Sequence, residues 1–206
     1  MTSITDKLIN RIQRKKRGWV FTPKDFLDLG TRAAVDKVLS RLTKQAMIRR
    51  LDRGLYDYPK QHKLLGTLAP DPDSIARALA AGGQVYPSGA MAANLLGLST
   101  QVPAKPNYLT NSPTRSRRVA GQIIRLTRAR IALLDEVSHH ANLMLQALAY
   151  FGNGNIDDQL INHCARTLTD KDLAGLHHVK GRIPSWMADT IHKIEQIKHG
   201  QIHHSN

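Results

Sequence analysis

A β-hairpin signal at residues 47–58 constrains the fold of this chain more than any other feature. Two short apolar and aromatic runs are separated there by Asp52, Arg53 and Gly54, and glycine suits the positive φ that a tight hairpin turn requires. Three helical patterns precede the hairpin, with a short β-prone run between the first two. This order of elements predicts a winged helix-turn-helix domain over residues 1–60.

Each of the three helical patterns carries its own signals. Apolar residues at helical spacing predict the first helix: Ile4, Leu8 and Ile12. Thr22 and Pro23 suit the N-cap and first position of a short second helix that Gly30 ends. Thr31 can cap a third helix, whose apolar stripe faces inward: Val35, Val38, Leu39 and Leu42. The third helix, from Thr31 to Gln45, is therefore the predicted recognition helix.

The distribution of charge points to a polyanionic partner. The chain carries 30 Lys and Arg against 16 Asp and Glu, and residues 1–70 alone hold 16 against 6. Because aromatic residues make up only 5% of the chain, stacking on single strands is disfavoured and double-stranded DNA is the predicted partner. The predicted DNA-binding residues lie on the first helix, the recognition helix and the hairpin: Arg14, Lys15, Lys16, Arg17, Thr31, Arg32, Lys37, Lys44, Arg49, Arg50 and Arg53.

Each of these residues also has an explanation that involves no DNA. Basic side chains on an amphipathic helix usually form a solvated face, and basic residues on a hairpin can simply keep an edge strand from pairing. Agreement between the helix, the hairpin and the charge bias favours contact with DNA.

The remainder of the chain predicts a second domain. The stretch from Pro59 to Pro72 contains three prolines and a glycine, so residues 61–72 are the predicted linker. Residues 73–206 predict a mixed α/β domain that ends in a helical segment. The fold class is therefore α+β. Start signals at Asp71–Asp73 and a helix over about residues 88–96 open this region.

Strand and helix signals follow within the second region. Residues 107–111 and 119–126 predict two strands joined by the loop Ser112–Arg118. Helical periodicity then resumes, and Thr169 to Asp172 resembles a capping box with Asp in place of the usual Glu. No apolar run approaches the length of about 20 residues that spans a bilayer, and the first residues lack a secretory signal, so the expected location is cytoplasmic.

A second group of arginines lies within residues 111–130, a segment without a single acidic residue. Such a group could extend the DNA-binding surface or contact an acidic partner protein. The alternative is a solvated face without a binding role. Its members are Arg115, Arg117, Arg118, Arg125, Arg128 and Arg130.

Catalytic and metal-binding patterns are weak in this sequence. His139 and His140 are adjacent and would project about 100° apart on a helix, unlike the i, i+4 pair of a metal-binding helix. The acidic pairs at residues 157–158 and 170–172 are explained as helix starts, and Cys164 as a small buried hydrophobe. We therefore predict no catalytic residue, no metal site and no cofactor.

Two segments resemble the AbiEi family of antitoxins from type IV toxin-antitoxin systems. TRAAVDKVLSRLTKQAMIRRLDRGLYDYP looks like that family's recognition helix and wing, and VYPSGAMAANLLGLSTQVPAKPNYLTN is similar to the start of its second domain. The resemblance covers roughly residues 4–130. It implies a DNA-binding antitoxin that represses its own operon through inverted repeats and opposes a nucleotidyltransferase-like toxin by acting on that toxin's transcript, its target or the toxin protein itself.

The leading hypothesis is therefore a non-catalytic transcriptional autorepressor that binds an inverted-repeat operator as a dimer on DNA. Two alternatives stay open. One is a nucleic-acid-processing enzyme that uses the winged helix to bind its substrate, and the other is an RNA-binding adaptor.

Overall fold

The computed structural model describes residues 3–102 and 107–202, with side-chain detail as far as residue 200. These residues form a mixed α and β structure, as the α+β prediction requires at this level. They divide into two compact units. The first contains the described residues up to Val85 together with Thr114–Leu126, and the second contains those of Tyr86–Pro113 and of the chain from Thr127 onward.

The first unit begins with two α-helices and an intervening turn of 3-10 helix. Helix α1 spans Ile4–Arg14 and starts with a capping box between Ser3 and Asp6. The predicted second helix is a single 3-10 turn, Pro23–Phe26, in which the Asp25 carboxylate accepts the Thr22 amide at 2.7 Å. Helix α2 spans Arg32–Lys44, close to the predicted recognition helix.

A three-stranded antiparallel sheet completes the first 60 residues. Its strands are β1 (Val20–Phe21), β2 (Arg49–Asp52) and β3 (Leu55–Asp57), in the order β1-β3-β2. Gly54 has a φ of +68° between β2 and β3, which confirms the predicted hairpin turn. The core beneath the sheet is aliphatic and aromatic: Leu8, Ile12, Phe21, Phe26, Val35, Val38, Leu39, Leu42, Ile48 and Tyr56.

The predicted linker, residues 61–72, contains regular structure. Strands β4 (Gln61–His62) and β5 (Gly66–Thr67) form an antiparallel hairpin, and helix α3 (Pro72–Leu79) follows with Asp71 as its N-cap. Helix α3, which was predicted to open the second domain, contacts β1 within the first compact unit. Separate folding of residues 1–60 stays a prediction.

One strand prediction is wrong. The sequence predicts a loop over residues 112–118 and one strand over residues 119–126, but β8 (Arg115–Val119) and β9 (Gln122–Arg128) form an antiparallel hairpin whose turn lies within that predicted strand. The turn consists of Ala120 and Gly121, with φ of +48° and +81°. Two consecutive positive φ values suit a hairpin turn, but alanine rarely adopts one, so Gly121 alone is an incomplete turn signal in the sequence.

The second unit is built around one buried helix. Helix α5 (His139–Phe151) is enclosed from Ala141 to Leu148 and contacts α4 (Gly89–Leu95) and α7 (Asp170–His178). Helices α6 (Asp158–Thr167) and α8 (Ser185–Ile202) contact each other, and α8 also contacts α7. Strands β6 (Tyr86–Pro87) and β7 (Asn107–Thr110) pair antiparallel beside them.

Short contacts and side-chain caps set the ends of these helices. A Cβ at Gly89 would lie 2.7 Å from the Gln146 carbonyl oxygen, so α4 approaches α5 closely at this residue. The capping box between Thr169 and Asp172 is present, as predicted. Within the described residues, no helix is long and apolar enough to cross a membrane.

Candidate nucleic-acid interface

Helix α2 presents a basic outer surface because its apolar stripe is buried in the first core. Thr31 caps the helix, its hydroxyl accepting the Ala34 amide at 3.4 Å. Lys37 and Lys44 are both exposed, and seven residues place them on the same face, ~10 Å apart along the axis. The helix therefore offers two cations in a line to a partner.

Arg32 and Arg41 on α2 have intramolecular partners. Nε of Arg32 donates to both carboxylate oxygens of Asp36, at 2.9 and 3.0 Å, and both side chains are about half exposed. Such an exposed pair contributes little, so an incoming phosphate or base edge can compete for Arg32. Arg41 donates to the Thr5 hydroxyl at 2.9 Å and so joins α2 to α1.

The side chain of Arg49 is 35% exposed, but its guanidinium group is bound within the protein. It donates to both carboxylate oxygens of Asp57, at 3.0 and 2.5 Å, and to the Leu68 carbonyl at 3.0 Å. Asp57 is only 1% exposed, and its hydrogen bond raises the pKa of Arg49 further. Because a buried carboxylate needs a partner, Arg49 is placed to hold the hairpin together.

Arg50 and Arg53 are the exposed basic residues of the β2–β3 hairpin. Nε of Arg50 lies 3.4 Å from the Asp52 carbonyl oxygen, and the register shifts between Arg50 and Asp52. At the turn, the amide of Arg53 donates to the Asp52 carboxylate at 2.7 Å. The hairpin therefore has an ordered turn with an exposed guanidinium group.

The β8–β9 hairpin braces this turn from within the same compact unit. Arg117 donates to the Asp52 carboxylate at 2.5 Å and to the Arg53 carbonyl at 2.7 Å. Bonding from the Arg53 amide and then from Arg117 lowers the pKa of Asp52. On the same face of β8, Arg115 donates to the Leu79 carbonyl. Two members of the second arginine group therefore make internal contacts.

The opposite face of the β8–β9 hairpin is exposed. Cross-strand pairing places Ser116 beside Arg125 and Arg118 beside Ile123, and Ile123 is 57% exposed. The remaining two arginines, Arg128 and Arg130, belong to the second unit, where they line a 360 Å³ pocket with Gln146 and Tyr150. The arginine group of the sequence is thus divided between an inner face, an outer face and a separate pocket.

The basic cluster at the end of α1 is exposed and supported by aromatic rings. Its members are Arg14, Lys15, Lys16 and Arg17. The ammonium of Lys15 lies 5.9 Å from the centre of the Trp19 ring, and the guanidinium of Arg17 lies 4.7 Å from that of Tyr58. Arg14 and Lys15 also line an open groove of 840 Å³ beside Trp19.

Comparison with known protein families shows which family this chain belongs to. A model described as a family of unknown function, DUF6088, matches residues 7–176. The chain belongs to the DUF6088 family. The match begins in α1 and ends in α7, so it takes in parts of both compact units of this DUF6088 chain. A comparison with curated proteins found no match.

One side-chain cluster in the DUF6088 chain contains the residue types of a hydrolase triad. Ser138 donates to the Asp172 carboxylate at 2.5 Å, and Nδ1 of His140 lies 3.1 Å from the same carboxylate. In a nucleophilic triad the imidazole bonds the hydroxyl, whereas here the hydroxyl bonds the carboxylate directly. Ser138 also accepts the Ala141 amide at 2.9 Å, which explains the cluster as a helix cap.

Cys164 has the environment of an inert thiol, as predicted from its apolar helical stripe. It is fully buried, its sulfur lies 3.4 Å from that of Met144, and burial raises the pKa of the thiol to about 12. Across residues 3–102 and 107–200, no group of three or more His, Cys, Asp or Glu side chains is placed to hold a metal ion.

The sequence shows that Arg117 belongs to a basic group, but it does not predict the pairing of Arg117 with Asp52. The two residues are 65 positions apart, and each lies in a hairpin formed by two strands that are consecutive in the chain. The absence of acidic residues in 111–130 was the available signal, because it leaves those arginines to find anionic partners elsewhere.

Proposed function

We propose that this DUF6088 protein is a DNA-binding antitoxin that represses its own operon, with residues 1–60 acting as a winged helix-turn-helix domain. The observation that carries the proposal is the exposed cationic face of α2, which lies in the same compact unit as the exposed Arg50 and Arg53 of a braced hairpin turn. The segment order and the resemblance of residues 31–59 to an AbiEi recognition helix and wing support it.

The residues take different roles in this proposal. Helix α2 enters the major groove, where Arg32 exchanges Asp36 for a base edge or phosphate and Lys37 and Lys44 contact the flanking backbone. Arg53 reaches the neighbouring groove or backbone from the hairpin turn. The cluster Arg14–Arg17 and the outer arginines of the β8–β9 hairpin neutralise phosphates. Arg49 acts only by holding the hairpin in place.

The second unit supplies the antitoxin function in this proposal. The AbiEi resemblance supports a nucleotidyltransferase-like toxin, or the target of that toxin, as the second partner. Two copies of the chain bind an inverted repeat in the cytoplasm, without a cofactor and without catalysis. The antitoxin role is tested by growth assays in which the chain is co-expressed with such a toxin encoded in the same operon.

DNA binding is tested with the duplex upstream of the chain's own coding sequence and a scrambled duplex, each titrated across a salt series. We expect a preference of about a thousandfold for the natural duplex and a steep dependence on salt. The Lys37→Ala/Lys44→Ala variant should bind more weakly and reduce the salt slope by about 2, one for each lost phosphate contact. Lys193→Ala, an exposed lysine of α8, is the matched control.

Equal binding to both duplexes would overturn the repressor proposal. A salt slope for Lys37→Ala/Lys44→Ala that matches the Lys193→Ala slope would overturn the placement of α2 on DNA. Preferential competition by a structured RNA would favour the adaptor hypothesis, and cleavage of either nucleic acid would favour an enzyme.

A further inference from the structure

The β4–β5 hairpin carries two exposed leucines at its tip. Leu64 is 89% exposed and Leu65 is 73% exposed, and neither belongs to a hydrophobic core of the described chain. Isolated surface leucines are common, but two adjacent ones at the end of a hairpin form a small contiguous apolar patch.

The tip is held in a defined conformation. Nδ1 of His62 accepts the amides of Leu64 at 3.2 Å and Leu65 at 3.3 Å. Gly66 closes the turn with a φ of +68°, and Thr67 donates to the Gln61 side chain at 3.0 Å. The two leucines are therefore presented by an ordered hairpin, so a partner that accepts them need not order the loop first.

The surroundings of the leucines are basic. Residues 58–70 include Lys60, His62 and Lys63 and contain no Asp or Glu. The hairpin is fastened at both ends to basic residues of the proposed DNA-binding domain. Arg17 donates to the Pro59 carbonyl at 3.0 Å, and Arg49 donates to the Leu68 carbonyl at 3.0 Å. The two leucines, which are flanked by cations, therefore lie on a hairpin that is hydrogen-bonded to the basic cluster Arg14–Arg17 through Arg17.

We propose that Leu64 and Leu65 form a wedge that enters the minor groove of duplex DNA and unstacks one base step, while Lys60 and Lys63 neutralise the adjacent phosphates. This inference rests on the proposed function. Proteins that kink DNA insert one or two apolar side chains between bases and flank them with cations, which is the composition of this hairpin. Binding to a lipid surface requires a larger apolar area, such as the apolar face of an amphipathic helix, and two leucines do not supply it.

The experiment uses the full chain and a series of upstream duplexes, each carrying one 2-aminopurine. We expect the fluorescence of 2-aminopurine to rise at one step when the wild-type chain binds, and the distance between dyes at the duplex ends to shorten. Leu64→Ala/Leu65→Ala should abolish both signals while affinity falls by less than about tenfold, because lost contacts and avoided unstacking largely cancel. Leu95→Ala, which removes an exposed leucine of α4, should behave as wild type.

Specific binding to the upstream duplex without unstacking at any labelled step would overturn the wedge and leave the proposed function standing. A wild-type chain that does not prefer the upstream duplex would overturn the proposed function and the wedge with it. Vesicles of phosphatidylserine and phosphatidylcholine provide a third arm. Leucine-dependent binding to these vesicles, with no change in 2-aminopurine fluorescence, would assign the hairpin to a lipid surface and overturn the wedge.

Discussion

Asp172 joins the starts of two helices in the second unit. Its carboxylate accepts the Ser138 hydroxyl at the start of α5, and it accepts the Thr169 amide and hydroxyl at the start of α7. Burial raises the pKa of this nearly enclosed carboxyl group, but the hydrogen bonds from Ser138 and Thr169 outweigh burial and hold the pKa well below its ordinary value. The ionised form is therefore the form that stabilises the unit.

Asp172→Asn should lower the free energy of unfolding by about 2 to 3 kcal/mol at pH 7, because charge-assisted hydrogen bonds are lost. Since the folded pKa is lowered, this stabilisation is complete above the unfolded pKa of about 4 and is lost as the pH falls through the folded value. Urea unfolding at pH 7, 5 and 3 should show the difference between variant and wild type shrinking at the acid end. Asp170→Asn, at an exposed carboxylate of the same helix, should show little effect, and an equal loss there would contradict this account.

At the scale of elements, close approach and bracing decide which pairs of helices and hairpins hold together. Gly89 lets α4 lie against α5, since an added Cβ would meet the Tyr150 Cβ at 2.6 Å. Gly175 in α7 has a different environment, because an added Cβ would lie 3.7 Å from the Val137 side chain, an ordinary contact. Substitution by alanine should therefore affect the stability of the protein differently at these two glycines.

Gly89→Ala should destabilise the protein by about 1 to 3 kcal/mol, because overpacking exceeds the gain in helix propensity. Gly175→Ala should be neutral or stabilise it by up to about 1 kcal/mol. Thermal unfolding followed by circular dichroism compares the two. A stabilised Gly89→Ala variant would show that α4 and α5 can move apart freely.

Arg117→Met should loosen the β2–β3 turn while leaving the two cores intact. The substitution removes the bonds to the Asp52 carboxylate and the Arg53 carbonyl but keeps most of the aliphatic stem. Amide hydrogen exchange at Arg53 should accelerate by about threefold to tenfold, a modest effect because the pair is partly exposed. Arg118→Met removes the neighbouring charge on the outer face and is the matched control. Unchanged exchange in Arg117→Met would show that Arg117 does not order the turn.

At the scale of the whole molecule, the described residues form two hydrophobic clusters that share no residue. Trp19 packs against the first cluster and Trp186 against the second, and these are the two tryptophans of the sequence. Helix α8, which lies outside the family match, contributes fully buried side chains to the second cluster: Met187, Ile191 and Ile194.

Ile191→Ala should destabilise the second unit by about 2 to 5 kcal/mol through the cavity it leaves. Urea unfolding followed in single-tryptophan variants resolves the effect. The midpoint reported by Trp186 should fall, whereas that reported by Trp19 should stay close to its original value. Lys193→Ala, on the exposed side of α8, should leave both midpoints nearly unchanged. The free energy of unfolding should change by no more than about 0.5 kcal/mol. Equal shifts at both tryptophans would show that the two clusters unfold as one.

Much of the local structure could be predicted because its causes are local. Caps at Thr31, Asp71 and Thr169 depend on residues three positions away, and the hairpin at Gly54 depends on one positive φ. The sequence does not predict the β8–β9 hairpin, because Ala120 in its turn has a conformation that alanine rarely adopts. The second helix was predicted too long because its capping signals define a start, whereas its length depends on packing.

The sequence by itself determined the order of most elements, the buried stripe of α2 and the concentration of positive charge in the first 70 residues, since these follow from short-range periodicity and composition. Only the tertiary structure decided what each arginine does. Arg49 meets the buried Asp57, Arg117 meets Asp52 across 65 positions, and Arg118 stays exposed. A guanidinium group carries the same charge in every context, and only the fold determines whether a carboxylate or solvent lies beside it.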